Sequence, residues 1–122
     1  MIHYHGTPIT PRKYLLEMSG KNFCVSFADP RDIEIVIKRG QSVMMDNGAF
    51  SSYTRNLEFK PEKFCNWVEK YLAHPHWAVI PDKIGGTVEE QRKMLKNWVF
   101  PKELSALAKG YLPSVCPNIL IP

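Results

Sequence analysis

The sequence predicts an α/β fold of about four strand-helix units whose strands form a parallel sheet, either open or half-barrel-like. Three observations carry this. Short apolar runs alternate four times with segments of helical periodicity, helix-start signals follow the runs, and glycine or proline punctuates the units. Parallel neighbours cannot be joined by a tight hairpin, so apolar strands linked by crossover helices call for a sheet covered by helices.

In the first unit, Ile2 to Thr7 reads as a strand stopped by Gly6 and Pro8. Thr10-Pro11 then caps and opens a helix through Tyr14, Leu15 and Met18 that Gly20 ends. Phe23 to Phe27 is the second strand, and Asp29-Pro30 repeats the cap signal before a helix with Ile33, Val36 and Ile37 on one face, ended by Gly40. Ser42 to Met45 is the third strand and runs into Asp46-Asn47-Gly48. A loop of about 13 residues leads to the helix at Lys60-Pro61-Glu62, whose Phe64, Trp67, Val68, Tyr71 and Leu72 form a broad apolar stripe. Trp77 to Ile80 is the fourth strand. Thr87-Val88-Glu89-Glu90 is a capping box opening a helix through Met94, Leu95 and Trp98. Beyond residue 100 the pattern is irregular: Lys102 to Lys109 could form a short helix, and Asn118 to Pro122 a strand cut off at its end. The whole is expected to be one domain, with 1–100 as the regular units and 101–122 as an irregular, truncated-looking tail.

Hydrophobic residues make up 44% of the 122 residues and charged ones 23%, which excludes wholesale disorder. Sixteen Lys plus Arg against 12 Asp plus Glu give +4, a balance that permits a polyanionic partner without requiring one. Cys24, Cys65 and Cys116 are odd in number and far apart, matching neither a disulfide framework nor paired metal-ligand spacing. The first residues lack the form of a signal peptide and no apolar run reaches about 18 residues. The expectation is a cytoplasmic protein without membrane contact.

Ligands of parallel α/β folds bind at the carboxyl ends of the strands. Asp46 and Asp82 each follow an apolar strand, and on neighbouring strands they would face one cleft, where two carboxylates can divide acid and base roles. The structural alternatives are an Asx-turn from Asp46 to Gly48 and a loop-capping Asp82. Gly48 permits a positive φ, and Phe50 offers either a flat face to a planar ligand or core packing. His3 and His5 alternate on one strand, but no Cys or carboxylate at suitable spacing accompanies them, so no metal site and no cofactor is expected.

Met44-Met45-Asp46-Asn47-Gly48-Ala49-Phe50 resembles the Leu-Asp-Ser-Gly-Gly-Phe/Tyr segment of the queuine tRNA-guanine transglycosylases. The order of a Gly-Thr after the first strand, this motif, and Val79-Ile80-Pro81-Asp82 is most similar to the relatives that insert 7-deazapurines into DNA in phage and bacterial modification systems. The resemblance covers residues 1 to 100 and implies a TIM (β/α)8 barrel, of which four units are about half. It further implies exchange of a purine for a 7-deazapurine base in DNA or tRNA, a pentosyltransferase reaction through a covalent glycosyl-enzyme. By position, Asp46 would manage a proton on the base, Phe50 would stack on it, and Asp82, Asn47, Gly48 and His5 would line its site. Asn47 and Ala49 depart from the Ser and second Gly of the tRNA enzymes, and their Cys-x-Cys-x-x-Cys zinc motif has no counterpart here. The family nucleophile, an aspartate of the second half-barrel, lies beyond residue 122, so activity would need a second copy or a partner chain. The other implied readings are a non-catalytic base-binding remnant and a truncated product.

Overall fold

A computed structural model describes residues 1–97 and 119–120. Four parallel strands, β1 (Tyr4–Gly6), β2 (Asn22–Ser26), β3 (Val43–Asp46) and β4 (Trp77–Val79), lie side by side in chain order. Between them run α1 (Arg12–Glu17), α2 (Ile33–Arg39), α3 (Ala49–Thr54) and α4 (Pro61–Tyr71), and α5 (Val88–Asn97) follows β4. The order never reverses. Right-handed crossovers that always step the same way put their helices on one face, as in a barrel and unlike a doubly wound sheet.

The core shows which face that is. Phe23, Val25, Val43, Met45 and Ala78 are buried against Leu15, Val36, Phe64 and Val68 of the helices. Side chains alternate along a strand, so Cys24, Ser26, Met44, Asp46, Trp77 and Val79 point to the opposite face, and every one of them is only half-buried. Two aromatic rings, Phe27 and Trp67, extend the covered core around Phe64 at centroid separations of 5.4 to 5.9 Å. The α4 stripe does what its spacing predicts, and Tyr71 on its last turn donates a hydrogen bond to Glu34 of α2.

Several expectations are corrected. The segment after β3 is not a plain loop, because α3 occupies Ala49–Thr54. The caps of the first two helices lie elsewhere: Pro11 and Asp32 hold the N-cap positions, with no side-chain capping bond. Asp29 instead pairs with Arg31 through two bonds of 2.7 and 2.8 Å. Asp32, 2% exposed, takes Arg12 at 3.2 Å and the Ile9 N–H at 3.4 Å, tying the β1–α1 loop to α2. Thr87 does cap α5, accepting from Glu90 N–H at 3.2 Å. The expected helix over 102–109 lies outside the described residues. Ile119–Leu120 forms a strand, β5, but it runs antiparallel on the free edge of β4 and does not continue the parallel series.

At the amino end of the sheet a hydrogen-bonded chain crosses the open face. Trp77 Nε1 donates to Tyr4 Oη at 3.0 Å, and Ser42 Oγ donates to Pro75 O at 2.9 Å. With the serine proton so used, Tyr4 must donate to Ser42 Oγ across their 3.0 Å contact. His76 is buried nearby and its Nδ1 accepts the Val43 N–H at 3.1 Å.

Candidate functional site

The carboxyl end of β3 gives way to a turn built by three consecutive residues. Asp46 Oδ2 accepts the Gly48 N–H at 2.9 Å, closing an Asx-turn. Gly48 sits at φ +70°, and a Cβ there would lie 2.9 Å from Ala28 N, so glycine is required for both reasons. Asn47, 4% exposed, is the keystone: its Oδ1 accepts the Ala49 N–H at 2.9 Å, and its Nδ2 donates to Ile80 O at 3.0 Å and Asp82 Oδ1 at 2.9 Å. The β3 turn is thereby bolted to the rim of β4.

The two aspartates have different neighbours. Asp46 is level with Ser26 and shares the open face with Cys24, whose thiol is pushed up to about 11 by burial and by the Asp46 charge. Burial, with Glu69 and Glu62 nearby, pushes Cys65 to about 11 as well. Both thiols therefore stay protonated near neutral pH and are poor nucleophiles. Asp82 is held by the Asn47 amide, beside residues of α3 and the start of α4. Asp82 lines a cleft of about 410 Å³, and Asp46 is not among the residues of that lining.

That cleft lies between the β4–α5 loop and the segment from α3 to α4, with Ala49, Tyr53, Leu57, Phe59, Asp82 and Lys83 among its walls. Lys83 is positioned through its backbone, since the Gln91 side chain accepts its N–H at 2.9 Å and donates to its C=O at 2.6 Å. Its ammonium reaches Glu90 at 2.7 Å. Phe50, at 68% exposure, stands on the first turn of α3 outside the core, which removes the packing alternative. His5 is level with Phe23 on the helix-covered face, its ring 6.4 Å from that of Phe23, and is not brought to Asp46. Tyr53, Phe59, Lys83 and Gln91 escaped the sequence reading. The only sequence signal for Tyr53 was its place three residues after Phe50, which matters once α3 is known to be a helix.

Among the described residues, no group of three or more His, Cys, Asp or Glu could hold a metal ion, and no helix is long and apolar enough to cross a membrane. Fold and rim together define an α/β protein with a four-stranded parallel sheet and a polar turn at its carboxyl edge. No protein-family model matches the chain, and neither a curated protein nor a solved structure is found to be similar to it.

Proposed function

We propose that this chain binds a purine or 7-deazapurine base of DNA or tRNA at its sheet rim, as the base-exchanging transglycosylases it resembles would. The observation that supports this reading best is the Asp46-Asn47-Gly48 turn. It fixes one oxygen of Asp46 on Gly48 N–H and leaves Oδ1 without a hydrogen bond among the described residues, on the open face of the sheet. An oxygen so placed can accept a proton from a base or hold its N–H edge, and the exposed Phe50 ring, four residues on in the chain, supplies a stacking surface.

Exchange of the base requires attack on the sugar C1′ as the purine departs with a proton. Asp46 is the residue suited to manage that proton. In this reading the nucleophile and the remaining strands lie outside these 122 residues, and a base in a duplex must first be flipped out. Incorporation of labelled guanine or a 7-deazapurine into DNA and tRNA is the test, with the chain alone and with cell extract supplying partners. Incorporation that disappears in Asp46→Asn supports exchange. The asparagine can still accept from Gly48 N–H, so the turn survives. No incorporation in any pairing, with Asp46→Asn binding nucleic acid as the wild type does, overturns the reading.

One observation favours a second reading, a base-binding module without catalysis. Closing a barrel demands a parallel neighbour for β4, yet β5 pairs antiparallel with that edge through Ala78 and Val79. A completing chain would have to displace it. Salt-sensitive oligonucleotide binding that Phe50→Ala weakens, without incorporation, distinguishes this case.

A further inference from the structure

We infer that the 410 Å³ cleft on the helix side of the rim is a second base subsite, which holds the nucleotide flanking the one bound at Asp46. The inference rests on the proposed base-binding function and adds to it a second, separate contact with the strand.

Four observations converge on it. The cleft volume lies within the range of small-ligand pockets, and its walls are largely apolar with two aromatic rings, Tyr53 and Phe59. Tyr53 is 65% exposed although it lines a concave wall, so its ring face is available for stacking. Ser52, Asp82 and Lys83 are the polar residues of the lining besides the Tyr53 hydroxyl; the position of Asp82 is set by Asn47, and the Lys83 ammonium is drawn to Glu90. A carboxylate repels phosphate and accepts from an amino or ring N–H edge, so the part of a nucleotide that fits is the base.

Continuity with the Asp46 site is covalent. Ala49 lines the cleft and is three Cα steps from Asp46, at most about 11 Å at 3.8 Å per step. A strand crossing the turn can therefore set one base on the open face and its neighbour on the helix side. Cations for its backbone lie near the turn: Arg31 pairs with Asp29 at 2.7 Å, and Arg55 also acts on that carboxylate. Ala28, in the same loop as Asp29, is the residue against which Gly48 packs.

The test is an abasic scan. A fluorescein-labelled single-stranded pentanucleotide is titrated with the full chain by anisotropy at low salt, each base being replaced in turn by an abasic sugar. Two adjacent positions should each lose about tenfold in affinity, the scale of one base-aromatic stack. In Tyr53→Ala one of those sensitivities should vanish, and in Phe50→Ala the other. Asp82→Asn should alter base preference at the Tyr53 position alone. Both rings are largely exposed, so unchanged thermal unfolding of the variants separates lost contacts from lost fold. A single sensitive position, or two that persist in Tyr53→Ala, overturns the flanking subsite and leaves the Asp46 site standing. No binding of any pentanucleotide overturns both. Two sensitive positions without base incorporation retain the subsite and remove the exchange reaction.

Discussion

The two ends of the sheet are built to opposite ends. At the amino edge, Trp77, Tyr4, Ser42 and Pro75 form a closed donor-acceptor chain across the open face, and His76 accepts a backbone N–H from β3. At the carboxyl edge the hydrogen bonds hold the turn in place from behind, while Asp46 Oδ1, Phe50 and Tyr53 are left facing outward. The amino edge turns its polar groups on one another, whereas the carboxyl edge, where ligands of parallel α/β architectures bind, keeps polar and aromatic groups turned outward.

The sharpest way to break the contrast is Asn47→Ala, because one buried side chain serves the β3 turn, the β4 carbonyl and Asp82 together. A loss of about 3 kcal/mol in denaturant unfolding is expected, together with loss of oligonucleotide binding. Gly48→Ala should cost about 2 kcal/mol, since its φ is left-handed and the new methyl meets Ala28 N. It should also weaken binding by displacing α3. Tyr4→Phe strands the Trp77 indole N–H and should cost about 1 kcal/mol while leaving oligonucleotide affinity unchanged. Reduced affinity in Tyr4→Phe would refute the division between the two ends.

The smallest effect is one of pH. Burial, and then the neighbouring His74, lowers the His76 pKa below its ordinary 6.5. The folded state thus prefers the neutral ring that accepts from Val43 N–H. Stability from this group is fully present above pH 6.5 and is lost as pH falls from there through the lowered folded value. Unfolding midpoints measured from pH 7.5 to 5 should fall, and fall less steeply in His76→Leu.

The fold was legible because each apolar run was short, each helix start was punctuated, and the α4 stripe was broad. Helix α3 was not, because its two aromatics, Phe50 and Tyr53, are exposed and make no apolar stripe, and only Ala49 of the helix is buried. Asp29-Pro30 misled because the carboxylate found Arg31 two residues away, and the N-cap position fell at Asp32. At the site, the order of residues placed Asp46 at a strand end and also suggested the Asx-turn that forms there. Sequence could not tell that Asp82 is held by Asn47 rather than turned to Asp46, since that depends on an asparagine amide reaching between strand ends. Phe50 was ambiguous because composition assigns aromatics to cores, and only the position of α3 on the surface decides otherwise.

Because the strand order never reverses, every parallel strand pairs with the one just before it in the chain. Tyr4 meets Asn22, Phe23 meets Val43, and Met44 meets Trp77, so each pairing closes a short span of chain. No parallel pairing skips over an intervening strand, so the sheet can be assembled by accretion, each unit docking on the edge left by its predecessor. On a ribosome, β1 and β2 could pair before β4 is synthesised, and the Asn47 bolt would be among the last of these parallel-sheet contacts to close.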